Sequence, residues 1–451
     1  MYQVYLKRNE DKRIRAGHAW VYANEVARIE GKGKNGELAA IYDFDGNFLG
    51  KGYINHLSKI LVRVMIRDAD TAADKAFFKA RIKAANDYRL RLGYTDCYRM
   101  VFGEADGLPA LIVDKYHDLL SVQILSLGME QNKDVIIEAL CELFAPRGIY
   151  ERSDVAVREK EGLPLRKGAL YGDFDPTVIV EENGLKMLVD LEGGQKTGYF
   201  LDQKENRFAL RRYAKDARVL DCFCNVGGFA LNAAAGGARE VVALDISEKA
   251  LADVRANAEL NGLSDRITTE CGDVFEVLRR YRADGQRFDV VVLDPPAFTK
   301  SAADVKAAYR GYKDINILGM KLVEHGGFLV TASCSHYMTA PLFEKMLREA
   351  AYESGRTVRM VEVKTQAPDH PALLAAEETT YLKFYVLHAR GLFLMGWNHA
   401  VSVKSVEYRR AIHESPARAK QKRVVEAPTP TDLQRACTVL SKPSPLGEGG
   451  A

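Results

Sequence analysis

The 451-residue sequence predicts an α/β protein: a doubly wound sheet over about 181–390, preceded by a small β-rich module and an α+β unit. Two observations carry this prediction. Short apolar runs alternate with helical patterns through the second half. Four of those runs end in, or lead directly to, an aspartate, as expected where an open sheet presents its carboxyl edge to a ligand.

Residues 1–70 read as the β-rich module. Met1–Arg8 alternates apolar and polar residues, Glu37–Tyr42 and Ile60–Ile66 are strand candidates, and Asp45-Gly46-Asn47 is a turn. Residues 71–180 read as a compact α+β unit. A helix is predicted at Ala72–Leu92, strands at Ala110–Asp114 and Leu119–Leu125, a helix at Lys133–Leu143, and strands at Gly148–Tyr150 and Thr177–Glu181. In 181–390, predicted strands at Arg218–Cys222, Glu240–Asp245, Ile267–Thr269, Phe288–Asp294 and Gly327–Ser333 are accompanied by helices at Phe229–Gly236, Glu248–Asn261, Val274–Tyr281, Ala302–Glu324 and Pro341–Tyr352. Thr357–Thr365 and Thr380–Ala389 would close the sheet edge. Residues 391–451 break the pattern: a basic run from Arg409 to Arg423, a Pro-Thr-Pro and a Gly-rich end read as a flexible tail. The apolar patch Leu392–Trp397 is a candidate for docking on the body.

Composition narrows the functions. No stretch approaches the roughly 18 apolar residues needed to span a bilayer, and no apolar signal region follows Met1. Seven scattered cysteines do not form a disulfide framework, so a cytoplasmic protein is expected. The net charge is only +3, yet residues 1–100 hold 19 Lys and Arg against 12 Asp and Glu. A basic N-terminal part fits a polyanion-binding arm.

The strand ends carry the chemistry. Asp221 closes the first strand of the sheet and leads into Cys222-Phe223-Cys224-Asn225-Val226-Gly227-Gly228-Phe229. Gly227 and Gly228 lack a β-carbon and let a ligand approach a helix start, whose free amides favour a carboxylate. Asp245 stands 24 residues beyond Asp221, near the spacing at which a carboxylate meets a ribose diol. Asp273 is a candidate acceptor for an adenine amino group. A cofactor with carboxylate, ribose and adenine, such as S-adenosylmethionine, satisfies all three tasks. Asp221, Phe223, Asn225, Gly227, Gly228, Asp245, Asp273, Asp294 and Pro295 are thus candidate cofactor contacts. A dinucleotide is disfavoured, because residue 225 is not the glycine that the pyrophosphate turn requires. No metal is expected: Cys222, Cys224 and Cys271 lack a C-x-x-C pair and a fourth ligand.

Asp294-Pro295-Pro296-Ala297-Phe298 follows a buried strand, and its two prolines stiffen the turn. Acid-Pro-Pro-x-aromatic points to methyl transfer to a nucleobase. Thr331-Ala332-Ser333-Cys334-Ser335-His336 ends the next strand and brings Cys334 to the Asp294 turn, provided the two strands end side by side. An imidazolium or free amides nearby would stabilise the thiolate. Carbon 5 of a pyrimidine is a poor nucleophile; thiolate addition at carbon 6 converts the ring into an enamine that attacks a methyl donor. Cys334 and Asp294 are the candidate catalytic pair.

These motifs resemble the bacterial 23S rRNA cytosine-C5 methyltransferase family that carries an N-terminal PUA domain. The resemblance extends over about 1–390. It includes Leu6-Lys7-Arg8 with Gly17-His18-Ala19-Trp20-Val21-Tyr22, Phe102-Gly103-Glu104-Ala105-Asp106-Gly107-Leu108-Pro109, Tyr150-Glu151-Arg152-Ser153-Asp154, Gln195–Gln203 and Ser333-Cys334-Ser335-His336. It implies a PUA domain, a middle α+β domain and a class I methyltransferase fold. It implies Cys334 as nucleophile with Asp294 as partner. It also implies that the 196–203 loop, with Thr197 and Gly198, and nearby Arg207 help enclose S-adenosylmethionine. The implied partner is rRNA of the large ribosomal subunit, with a homodimer left open and no membrane. The sequence departs from the family's usual Tyr-Thr-Gly-Gly-Phe at Asn225–Phe229 and from its usual lysine at Ala297. Two other functions stay open: methylation of a base nitrogen such as guanine N7, which needs no thiol, and a non-catalytic RNA-binding assembly factor.

Overall fold

The computed structural model describes residues 1–299 and 302–391; the expected tail and its apolar patch lie outside the described residues. Three β-sheets and one hairpin follow one another along the chain.

The first sheet holds β1 (Tyr2–Leu6), β2 (Trp20–Tyr22), β3 (Val26–Glu30), β4 (Leu38–Tyr42), β5 (Phe48–Ile54) and β6 (Ile60–Ile66), in the order β2-β6-β5-β4-β1-β3. A short helix, α1 (Lys12–Arg15), lends Ile14 to a core with Val4, Leu6, Ile41, Ile54 and Val62.

The second unit places α2 (Lys75–Arg91), α3 (Leu127–Gln131) and α4 (Lys133–Phe144) with a five-stranded sheet. Asp74 caps α2, accepting a hydrogen bond from Phe77 N at 2.9 Å. The strands β7 (Cys97–Phe102), β8 (Leu111–Tyr116), β9 (Leu119–Ile124), β10 (Gly148–Ser153) and β11 (Arg166–Tyr171) run in the order β11-β10-β9-β8-β7. Two of these were not expected. In β7 a buried Arg99 interrupts the apolar run, and it is tolerated because its guanidinium forks onto Asp114 at 2.8 Å on both oxygens. β11 is a largely exposed edge with little apolar signal.

A hairpin of β12 (Thr177–Glu182) and β13 (Leu185–Asp190) follows, and the expected unit boundary at 180/181 falls inside it. Its two-residue turn, Asn183-Gly184, has φ of 57° and 72°, the geometry that an Asn-Gly pair favours. Val178, Val180, Met187 and Val189 pack into the core of the third sheet.

That sheet contains β14 (Arg218–Cys222), β15 (Glu240–Asp245), β16 (Ile267–Cys271), β17 (Phe288–Leu293), β18 (Val323–Ser333), β19 (Arg356–Lys364) and β20 (Lys383–Gly391). Their order is β16-β15-β14-β17-β18-β20-β19, with β14 to β18 parallel and β20 antiparallel to both neighbours. It is flanked by α5 (Lys204–Ala214), α6 (Gly228–Ala235), α7 (Glu248–Leu260), α8 (Val274–Ala283), α9 (Val305–Leu322) and α10 (Ala340–Ser354). Alternation along each strand separates the two faces. Val219, Val241, Val290 and Val330 enter one core, while Leu220, Val242, Val291 and Leu329 enter the other. Helices cover both faces, so these strands read as continuous apolar runs. The strand order reverses between β14 and β17, which opens a crevice at their carboxyl ends.

Candidate active site

The crevice is a cleft of about 360 Å³ between the β14–α6 loop, the end of β15, the Asp294 turn, the β18 end and the segment Gln195–Arg207. Sequence-predicted Phe223, Asn225, Gly228, Asp245, Asp294, Pro295, Cys334 and Arg207 all line it.

The β14–α6 loop turns sharply because Phe223, Asn225 and Gly227 all have positive φ, at 60°, 51° and 84°. Such strain in two non-glycine residues persists only where the surroundings hold it. Here Asn225 N donates to Asp245 Oδ2 at 3.0 Å, and Gly227 N to Cys224 O at 2.8 Å. Gly228 must lack a side chain, since a β-carbon there would stand 2.6 Å from Arg207 Cδ and 2.8 Å from the Tyr199 hydroxyl. Arg207 is itself fixed by a buried bidentate pair with Glu182, 2.7 Å at each contact. The hairpin thus braces the glycine loop through one guanidinium.

Asp245 spends one lone pair on each of two amides, Asn225 N and Ser247 N, and keeps the rest toward the cleft. Other predicted residues sit outside the lining. Asp221 is buried behind the loop, where Oδ2 accepts from Ala230 N at 2.9 Å. Burial pushes its carboxyl well above the usual range. Gly227 faces Val254. Thr197 is buried and gives its hydroxyl to Asp114, and Gly198 closes a β-bridge with Gln195. Asp273 caps α8 through Glu276 N at 3.0 Å.

Leu293 pairs with Thr331 across β17 and β18, so the Asp294 and Cys334 turns do leave adjacent strands. Both Asp294 oxygens accept from Gln203 Nε2 at 3.0 Å. Burial first, and the Asp202 charge second, push the Asp294 carboxyl up to about 7. Asp202 is held ionised by Lys196 at 2.7 Å and Tyr381 at 2.6 Å. Cys334 is half-buried; burial raises its thiol, the Asp294 and Asp202 charges add to that rise, and Lys196 and, more weakly, Lys383 oppose it. His336, expected beside the thiol, lines a neighbouring groove with Trp20 and Tyr22 instead. Cys224 also touches the cleft, but burial and the charges of Asp221 and Asp245 push its thiol well up. Electrostatics therefore favour a thiolate at 334 over one at 224.

Glu182 and Lys383 were given no role from sequence, and Gln203 only a place in the 196–203 loop, not its contact with Asp294. Each acts across a long separation in the chain, where no local pattern reports it. Among the described residues, no cluster of three or more His, Cys, Asp or Glu can hold a metal, and no helix is long and apolar enough to cross a membrane.

Known proteins identify the domains. Residues 4–67 match the family of PUA-like domains, and residues 168–385 match S-adenosylmethionine-dependent methyltransferases. The chain is 44% identical over 386 residues to ribosomal RNA large subunit methyltransferase I of Klebsiella pneumoniae strain 342, covering 84% of this chain and 96% of that protein. It is 45% identical over 394 residues to the protein of that name from Aeromonas hydrophila, covering 86% and 99%. Among solved structures, a candidate SAM-dependent methyltransferase from Streptococcus mutans superposes with a TM-score of 0.74 at 20% identity, over 86% of this chain and all of that one. A second, a candidate methyltransferase crystallised with SAH, reaches 0.75 at the same identity and coverage. With its PUA-like β-domain, its class I methyltransferase fold and S-adenosylmethionine as cofactor, the chain belongs to the ribosomal RNA large subunit methyltransferase I family.

Proposed function

We propose that this protein methylates carbon 5 of a cytosine in 23S rRNA, with Cys334 as nucleophile and Asp294 as proton donor. The observation that carries the reading is the meeting of a thiol and a carboxyl of raised pKa at the ends of adjacent strands, in the cleft that Asp245 also lines. A base-nitrogen methyltransferase has no use for that thiol.

S-adenosylmethionine, when bound, supplies an electrophilic methyl group. Asp245 is suited to the ribose diol, and the Asn225–Gly228 loop at the α6 start to the carboxylate tail. Phe223, Pro295 and Arg207 complete the cofactor wall. Asp221, Gly227, Thr197 and Gly198 shape that wall from behind, and Asp273 is left out of the proposed set. In the reaction, Cys334 Sγ bonds to C6 of the cytosine while N3 takes a proton from Asp294, which leaves C5 as the nucleophilic end of an enamine. After C5 gains its methyl group, the C5 proton passes to water, Sγ departs as the thiolate, and N3 returns its proton to the Asp294 carboxylate, which restores the aromatic ring, the free cysteine and the protonated aspartate.

The test is direct. Unmethylated 23S rRNA incubated with the protein and S-adenosylmethionine, then digested to nucleosides for mass spectrometry, is expected to contain 5-methylcytidine. A new 7-methylguanosine, or no new methylation, rejects the proposal. Asp245→Ala is expected to weaken cofactor binding by about 1–3 kcal/mol through loss of charged hydrogen bonds. Titration calorimetry on a variant with native-like circular dichroism checks this; unchanged affinity removes Asp245 from the site.

A further inference from the structure

We propose that the Lys383 ammonium is the built-in counter-ion for the Cys334 thiolate, easing ionisation of the nucleophile, which makes Lys383 a positioning residue. The inference rests on reading Cys334 as the nucleophile and adds how that thiol is activated.

Lys383 opens β20, directly across the antiparallel ladder from Ser333, the residue before Cys334. Its Nζ donates to Ser335 O at 2.6 Å and to Tyr381 O at 2.7 Å. The ammonium thus lies against the carbonyl of Ser335, the residue after Cys334. The residue is only 8% exposed, yet among the described residues no carboxylate forms an ion pair with it. The groove on its other side carries Glu377, Glu378, Lys364 and His336, and Glu378 is engaged by His18 at 2.8 Å. A buried ammonium satisfied only by two neutral carbonyls is costly. Burial accordingly pushes Lys383 down to about 8, and the Cys334 charge works against that shift.

The groups facing the thiol divide by sign. Burial raises the thiol most; Lys196 and, more weakly, Lys383 favour the thiolate, while Asp294 and Asp202 oppose it. Lys196 is committed to Asp202 at 2.7 Å, which cancels much of its charge at the sulfur. The Tyr312 hydroxyl turns to Ser335 at 2.9 Å instead. Lys383 is left as the uncompensated cation. Ionisation of the thiol completes an ion pair that the fold leaves half-built, and that pair is dissolved when Sγ bonds to carbon.

The experiment reads the thiol without RNA. Iodoacetamide alkylation of Cys334 is followed by peptide mass spectrometry from pH 6 to 9.5 in the full-length wild type, Lys383→Met, Lys383→Gln and Lys383→Arg. The Met and Gln variants are expected to shift the alkylation midpoint upward and to slow the reaction at neutral pH by about tenfold. The Arg variant, which keeps the charge, should stay near wild type. Should the Met variant fail to fold, Gln decides, since its amide still donates to the two carbonyls. An unshifted curve in Met or Gln, or an Arg variant as slow as Met, overturns the proposal. Failure of the nucleophile reading is separable: it would show as methylation surviving Cys334→Ala, whatever the alkylation curve.

Discussion

Cys334→Ala is expected to lower methylation by on the order of 10³-fold or more, because removal of a nucleophile leaves only binding and positioning. The same variant should lose a covalent product that the wild type forms. With RNA containing 5-fluorocytidine in place of cytidine, carbon 5 carries a fluorine that cannot leave as a proton does. The Sγ–C6 bond then persists, and the complex migrates slowly on a denaturing gel. Cys224→Ala serves as the control, since Cys224 touches the same cleft but faces Asp221 and Asp245 rather than lysines. It should keep the adduct. The fold is expected to tolerate the 334 change, because the thiol is half-buried and makes no hydrogen bond among the described residues. Normal methylation by Cys334→Ala, or an adduct that survives it, would remove the thiol from the chemistry.

The path from sequence to this site was partly open. The alternation of strands and helices reads through because strands covered on both faces are continuous apolar runs. Strand ends then follow from strand positions, which is how Asp245, Asp294 and Cys334 could be singled out and how the β17–β18 neighbourhood could be anticipated. Which way a strand-end side chain turns was not legible. Asp273 has the residue type and position of a ligand contact, yet it caps α8. Thr197 lies in a loop that borders the cleft, yet its hydroxyl turns inward to Asp114.

Ion pairs made by tertiary packing were equally hidden. Glu182 and Arg207 are 25 positions apart, in a hairpin and a helix that meet only when the sheet forms. Neither residue has a periodicity that marks it as buried, and each alone would read as surface charge. β7 was missed for the same reason: Arg99 at its centre makes sense only once Asp114 is seen across the ladder. Asn183-Gly184 is a different case, since a strong hairpin signal was present in the residues themselves.

Asp294→Asn should separate what this carboxyl does for catalysis from what it costs the fold. Methylation is expected to fall by on the order of 10²–10⁴-fold, because an amide can donate a hydrogen bond to N3 but cannot transfer the proton. Stability should move the other way. Folding raises this carboxyl from 3.8 to about 7. The stability its protonation confers is fully present below 3.8 and is lost as pH rises through about 7. Above that, the wild type holds an ionised carboxylate next to the Asp202 charge, a burden the asparagine avoids. The variant's advantage should therefore widen between about pH 4 and pH 7 and level off beyond. Because Asp294 opens partly to the cleft, screening limits that advantage to roughly 1–3 kcal/mol. Urea denaturation at pH 5 and pH 8 measures it. An equal difference at both pH values would mean that this carboxyl is not held protonated by the fold. Wild-type methylation by the variant would mean that no proton passes through it. If the gap widens while activity collapses, the cleft stores folding free energy as a proton available at neutral pH, next to the sulfur whose addition to C6 draws that proton onto N3.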